Sequence, residues 1–282
     1  MSWPYDPADR LSLGEEEHRL LRELIRSRIG LDFGPTRRDI LASRLKRRLD
    51  ALSLRSYLEY YRFLIYAKRD QREREFTELA DQLANHETYF FRESYQFDIL
   101  YQHLWSSVAR TTGATRILSA GCSTGEEVYG LVMAAYELKP PAVVEVVGVD
   151  LCPTTVEQAR QGIYRAHSFR APLPFPRDRY FIQEGEILSR VRPEVKSSTS
   201  FAPANLLDTL QMEVFGPVDA IFCRNVLIYF DDTSLTRVAR IFHRILRPGG
   251  YLFLGHSESF LGRGLPFEAL RVGHNIVYRR ID

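Results

Sequence analysis

The sequence predicts an α/β protein: a mostly parallel sheet, a small antiparallel insert within it, and an all-α region ahead of it. Three observations predict this. Residues 116–120 form a short apolar run that turns through two glycines into a helical pattern over 126–138. Further runs at 143–149, 217–223 and 251–255 alternate with helical stretches at 153–162 and 234–246, the rhythm of a parallel sheet. Residues 14–84, by contrast, hold no strand-like run and space their apolar residues at helical intervals.

The chain has 282 residues, of which 45% are hydrophobic, enough for one large or two modest domains. A net charge of +2 gives no bulk argument for nucleic acid. Cys122, Cys152 and Cys223 are scattered without a Cys-x-x-Cys pair, which argues against a zinc site or a disulfide framework and fits a reducing cytoplasm. No apolar run approaches the roughly 18 residues that span a membrane. The first residues lack the basic-then-apolar pattern of a signal peptide.

Residues 1–13 read as a loose arm. A helix over 15–28 puts Leu20, Leu21, Leu24 and Ile25 on one face, with Glu15, Glu16 and Glu17 where the dipole favours acids, and Gly30 ends it. Thr36 is placed to cap a second helix that runs to Leu52, with Ile40, Leu41, Leu45, Leu49 and Leu52 inward. That stretch is basic: Arg37, Arg38, Arg44, Lys46, Arg47, Arg48 and Arg55 stand against Asp39 and Asp50, a local balance of +5. Such a face suits either solvation or docking to an acidic partner, and it lacks the interleaved aromatics of a nucleic-acid reader. Helices over 56–69 and 70–83 offer Tyr57, Leu58, Tyr61, Leu64 and Ile65, and Phe76, Leu79, Ala80 and Leu83, to the interior. The expected helical domain is 14–84.

Residues 85–93 crowd three aromatics beside a polar cluster, and 94–108 reads as a helix; together 85–112 forms the expected linker. The sheet domain is 113–282. Within it, 180–184 and 187–193 read as an antiparallel hairpin in a β-subdomain at about 170–200, and 199–203 returns toward the main sheet. Asp231 or Asp232 is placed to cap the helix at 234–246, and 275–279 reads as a last, antiparallel strand.

The strand ends carry the chemistry. A strand that turns sharply into a helix makes a ligand crevice at its carboxyl end, and glycine lets backbone approach the ligand. Asp150, ending the second strand, is placed to hydrogen-bond both hydroxyls of a ribose. The Gly-x-Gly-x-x-Gly spacing for a pyrophosphate is absent, and Glu126 and Glu127 open the helix instead. Acids there suit a nucleoside carrying positive charge. S-adenosyl-L-methionine, with its ribose, amino group and sulfonium, is such a ligand.

Five motifs occur in order: Glu87-Thr-Tyr-Phe-Phe-Arg-Glu93, Ser119-Ala-Gly-Cys-Ser-Thr-Gly-Glu-Glu127, Gln158-Ala-Arg-Gln-Gly-Ile-Tyr164, Phe222-Cys-Arg-Asn-Val-Leu-Ile-Tyr-Phe-Asp231 and Gly255-His-Ser-Glu-Ser259. With them the chain resembles the chemotaxis receptor methyltransferases, the CheR family of protein-glutamate O-methyltransferases, from about Leu20 to Arg279. The resemblance implies a Rossmann-like S-adenosylmethionine-dependent methyltransferase domain with an inserted β-subdomain, behind an all-α receptor-docking domain. It implies cofactor contacts from His86, Thr88, Arg92, Glu127, Asp150, Asn205, Leu206, Asn225 and Val226. Arg92 and Tyr229 are the residues expected near the transferred methyl, with S-adenosyl-L-homocysteine as product and no metal. Arg37, Arg38, Arg44, Arg47 and Arg48 are expected to dock the cytoplasmic helical region of a chemoreceptor.

Two departures stand out. The family has Asn where this chain has His86, with Asn85 just ahead. The hairpin turn between 181 and 190 is short, which implies independence from a receptor C-terminal tether peptide. A monomer, cytoplasmic and without membrane insertion or nucleic acid, completes the expectation. Two competing readings stand beside it: a methyltransferase for a small molecule or RNA, and a non-catalytic cofactor-binding module.

Overall fold

The computed structural model describes residues 12–109 and 113–282. The first eleven residues of the expected arm over 1–13, and residues 110–112 ahead of the first strand, lie outside the described residues. The chain divides into two compact units. One holds the chain up to Asn85 together with Tyr229–Ser234; the other holds His86–Ile228 and Leu235–Asp282.

The helical unit is built from α1 (Glu15–Ile29), α2 (Arg38–Ala51), α3 (Tyr57–Tyr66) and α4 (Arg69–Leu83). Leu21 and Ile25 of α1, Leu41, Leu45 and Leu49 of α2, Tyr57, Tyr60 and Leu64 of α3, and Leu79 and Leu83 of α4 are all buried. Gly30 ends α1 in the left-handed region at φ 87°. Two expectations are corrected here. Thr36 does not cap α2, because Pro35 opens a 3-10 turn over Pro35–Arg37 that feeds straight into the helix. Ile40 and Leu58 face solvent, at 49% and 36% exposure, and Tyr60 takes the inner place expected of Tyr61. Each runs of apolar residues was wider than the face that the neighbouring helix covers. Ser56 caps α3, its hydroxyl accepting from the Glu59 amide at 3.1 Å.

The sheet unit carries seven strands in the order β6-β2-β1-β7-β8-β10-β9. These are β1 (Thr115–Ala120), β2 (Val144–Asp150), β6 (Thr199–Pro203), β7 (Val218–Cys223), β8 (Leu246–Leu254), β9 (Phe267–Val272) and β10 (Asn275–Arg280). The first five in that order pair parallel, and β10 runs antiparallel to β8 and β9. β1 and β7 are almost wholly buried, as central parallel strands must be. β9 escaped the sequence reading because its residues, Phe-Glu-Ala-Leu-Arg-Val, sit half-exposed on an edge and show no buried run.

A second, three-stranded sheet has the order β3-β5-β4, with β3 (Ile163–Tyr164), β4 (Phe181–Glu184) and β5 (Leu188–Val191). Its β4–β5 hairpin has the expected antiparallel pairing, while β3 adds a strand just past the expected helix at 153–162. The expected helix over 94–108 contains a π-helical stretch, Ile99–Leu104, between the short α-helical pieces Tyr95–Asp98 and Trp105–Val108. Phe90, from the aromatic cluster ahead of it, stacks on Phe169 and meets Tyr164 and Phe181 edge-on, which fastens this segment to the small sheet. Among the described residues no helix is long and apolar enough to cross a membrane.

Candidate functional site

Strand order reverses at β1, which has β2 on one side and β7 on the other. Open α/β sheets bind ligands beyond the carboxyl ends of the strands at such a reversal. The turn after β1 enters at Gly121, φ 83°, where a Cβ would lie 2.4 Å from Val226 Cγ2. Only glycine allows the turns after β1 and β7 to come this close.

Asp150 stands at the tip of β2 and is 9% exposed. Its Oδ2 accepts from the Ser123 amide at 2.8 Å and its Oδ1 from the Cys152 amide at 3.1 Å. Burial pushes the Asp150 carboxyl above its usual range, while the two amides and the nearby His86 ring pull it back. Oδ1 also lies 3.5 Å from the Thr155 hydroxyl. An ionised carboxylate is an acceptor only, the chemistry that the hydroxyls of a ribose need. The Ser123 hydroxyl donates to the His86 carbonyl at 3.1 Å, so the stretch opened by His86 is tied to the glycine turn. Asn205 and Leu206 follow β6, whose Pro203 pairs with Asp150. The Asn205 side chain accepts from the Leu207 amide at 2.9 Å, and Leu206 is buried.

The two acids at the helix start are both partnered within the chain. Glu126 is 1% exposed, takes a hydrogen bond from the Thr124 hydroxyl at 2.7 Å, and burial raises its carboxyl above the usual range. Glu127 accepts from the Ser119 hydroxyl at 2.6 Å and is ion-paired to Arg224 at 2.5 Å. Arg224, at the end of β7, is the reason that this charge is neutralised. It is buried, and it also donates to the carbonyls of Arg92 at 2.7 Å and Glu93 at 3.3 Å. In the sequence Arg224 appears only as part of the Phe222–Asp231 motif. Its partner Glu127 is 97 residues away, so no local pattern marks the pair.

Arg92 is half-buried, donates from Nη1 to the Glu87 carbonyl at 2.9 Å, and has its guanidinium 5.8 Å from the Tyr89 ring centre. Thr88 is half-buried on the same segment. After β7, Asn225 adopts φ 60°, and the amides of Asn225 and Val226 both donate to Glu258, at 2.9 and 2.8 Å. The Asn225 side chain lies 3.5 Å from Glu93 Oε1, which also meets His256 at 3.0 Å. Burial raises the Glu93 carboxyl, but the His256 hydrogen bond and the Arg224 charge outweigh it and leave the group below the usual range. Glu93, His256 and Glu258 lie within the quoted motifs, but the sequence assigned them no role. The acid three residues after Gly255, at a strand end, is the signal that was there to find.

Tyr229 belongs to the helical unit. Its hydroxyl accepts from the Asn85 amide group at 3.1 Å, its carbonyl from the Asp32 amide at 2.8 Å, and Arg37 lies 5.8 Å from its ring centre. The expected docking arginines divide. Arg37 and Arg47 are exposed. Arg38 donates to the Leu13 carbonyl and Arg44 to the Leu83 carbonyl. Arg48 is turned inward, where it grips Glu75 at 2.7 and 2.9 Å. Glu75 is 4% exposed and also accepts from Tyr60 at 2.7 Å, so Arg48 neutralises a buried charge and is not available to a partner.

A pyrophosphate would find no glycine-repeat cradle at this edge, whereas a ribose would find Asp150. A sheet closed by an antiparallel pair and edged in this way belongs to the class of S-adenosylmethionine-dependent methyltransferases. Comparison with known families narrows the class. The model described as "CheR methyltransferase, SAM binding domain" matches residues 86–275, and "CheR methyltransferase, all-alpha domain" matches residues 16–84. The chain belongs to the CheR methyltransferase family. It is 38% identical over 257 residues to a chemotaxis protein methyltransferase of Escherichia coli K12, covering 89% of this chain and 87% of that one. It is 38% identical to the Salmonella typhimurium protein of the same description, over 89% and 86% of the two chains. With chemotaxis protein methyltransferase 1 of Vibrio cholerae it shares 30% over 95% and 98%. Among solved structures, magnesium protoporphyrin IX methyltransferase from Synechocystis PCC 6803 with bound SAH aligns at TM-score 0.40 and 14% identity, over 67% of this chain and 83% of that one.

Proposed function

We propose that this methyltransferase esterifies specific glutamate side chains in the cytoplasmic helical region of chemoreceptors, using S-adenosyl-L-methionine, for sensory adaptation in chemotaxis or a related pathway. The observation that carries the reading is Asp150: a buried acceptor-only carboxylate at the switch-point edge, fixed by the Ser123 and Cys152 amides. His86, Thr88, Arg92, Glu127, Asn205, Leu206, Asn225 and Val226 complete the proposed cofactor contacts. When bound, the cofactor supplies a methyl group on a positively charged sulfur.

A substrate glutamate, with a pKa of about 4.3, is ionised at pH 7 and needs no general base. With the cofactor in place, a carboxylate oxygen would bond to the methyl carbon as the carbon–sulfur bond broke, with no proton to move. The chain's task is alignment and removal of water. Arg92, whose guanidinium spends one hydrogen bond on Glu87, is proposed to orient the carboxylate with its remaining donors. It must not hold both oxygens too firmly, since that would stabilise the ground state. The Tyr229 hydroxyl accepts from Asn85 and so keeps its own proton to donate, which supports a role in directing a carboxylate.

Arg37 and Arg47 form the proposed docking cations for an acidic receptor helix. The β4–β5 turn holds only residues 185–187 between the paired Glu184 and Leu188, which supports independence from a receptor tether peptide. The enzyme is proposed to act as a cytoplasmic monomer, without nucleic acid. Labelled S-adenosyl-L-methionine and a panel of receptor cytoplasmic fragments test the reading. Protein-bound label that mild alkali releases as methanol is expected on at least one fragment. Alkali-stable label would move the acceptor from carboxylate to nitrogen or sulfur, and label on RNA or a small molecule would replace the receptor.

A further inference from the structure

Glu258 lies in the loop that follows β8, and its carboxylate gathers five backbone N–H groups. Oε1 accepts from Val226 at 2.8 Å, Leu227 at 2.6 Å and Ile228 at 3.2 Å. Oε2 accepts from Asn225 at 2.9 Å and Gly255 at 2.7 Å. Four of these donors are the consecutive amides of the turn after β7. Successive amides aimed at one point make an anion-binding concavity, and here the chain supplies the anion itself. Every neighbour is a donor, so the acceptor-only, ionised carboxylate is the form that fits.

The turn needs an anchor of this kind. Asn225 holds φ 60°, a sparsely populated region for a residue other than glycine. The carboxylate of Glu258 is the partner of all four amides, so its loss removes four hydrogen bonds from the turn at once. Gly255 makes room: a Cβ there would lie 2.8 Å from Glu258 Oε2 and 2.9 Å from the Asn225 nitrogen. The same turn sets Val226 against Gly121 and brings Asn225 to Glu93. A change in its shape would therefore reach the glycine turn and the segment that carries Arg92.

We propose that Glu258 is a positioning residue that holds the Asn225–Ile228 turn in its cofactor-binding shape before the cofactor arrives. The inference rests on the assignment of Asn225 and Val226 to the cofactor. An ordered turn spares the bound complex the cost of ordering it, so loss of the clamp falls on affinity more than on the chemical step. Glu258→Gln keeps the volume but replaces one acceptor oxygen with an amide NH2 that faces N–H donors.

The test uses the full chain, with S-adenosyl-L-homocysteine as the probe. By calorimetry its Kd should rise about tenfold or more in Glu258→Gln, while kcat at saturating S-adenosyl-L-methionine falls by less than about threefold. In the wild-type protein without cofactor, hydrogen exchange at the amides of residues 225–228 should already be slow. If those amides exchange at open-chain rates until the probe is added, the turn is not preformed and the proposal is lost. That measurement decides the matter even if the variant does not fold. Equal Kd in variant and wild type overturns the clamp while leaving the cofactor assignment intact. Absence of probe binding to the wild type overturns both.

Discussion

Arginine does two jobs in this protein, and the helical and sheet units each show both. In the helical unit Arg48 is 13% exposed and grips Glu75, while Arg47 beside it and Arg37 in the 3-10 turn ahead of α2 are exposed to solvent. In the sheet unit Arg224 is 3% exposed and grips Glu127, while Arg92 is half-buried and donates to a single backbone carbonyl. A buried arginine with a carboxylate on its fork has its donors occupied and its charge cancelled, so removal leaves an uncompensated acid. An arginine with spare donors at a surface or site edge acts on something else. The difference separates scaffold from function within one residue type.

Four measurements sharpen or break that contrast. Arg92→Ala should lower methyl transfer by about 10²-fold or more, as loss of substrate orientation does, with binding of S-adenosyl-L-homocysteine retained at least in part. Unchanged turnover would remove Arg92 from the mechanism. Next in size, Arg48→Ala should lower unfolding free energy by about 3–5 kcal/mol, the cost of stranding a buried carboxylate. Denaturant melts followed by circular dichroism read this directly, and a loss under about 1 kcal/mol, typical of a surface pair, would return Arg48 to the docking face.

Charge reversal at the exposed pair, Arg37→Glu with Arg47→Glu, should raise the apparent KM for a receptor fragment by about tenfold at low salt, with kcat little changed. The effect should shrink as ionic strength rises. An unaltered KM and salt dependence would make the α2 face an ordinary solvated surface. The smallest expected effect concerns pH. Burial holds the folded-state pKa of Asp150 above 3.8, so its contribution to stability is fully present below the unfolded pKa and lost as pH rises through the folded one. Between pH 7 and pH 4 the wild type should therefore gain stability relative to Asp150→Asn. A stability difference that stays flat over that range would mean that the amides from Ser123 and Cys152 cancel the desolvation.

Much of the fold and part of the site could be read in the chain. The strands β1, β2 and β7, the glycine turn, Asp150 at a strand tip and the left-handed stop at Gly30 each follow from local residue order. The structure brings His86, Glu127, Asp150, Asn225 and Val226 to one edge because β1, β2 and β7 end there together. Ile40 and Leu58 were misjudged because apolar spacing reports a helix face but not how much of it a neighbour covers. Edge strand β9 was missed because half-exposed residues leave no alternating or buried pattern.

By itself, then, the sequence determined the periodic features: which residues repeat every 3.6 positions on α1 to α4, which short runs are buried on both faces, and where glycine must turn the chain. Tertiary structure alone decided which charges are spent. Arg48 meets Glu75 27 residues on, and Glu258 closes on Asn225 33 residues back. A hydrogen bond depends on separation in space, and the fold sets that separation for residues far apart in the chain without leaving any period in the sequence.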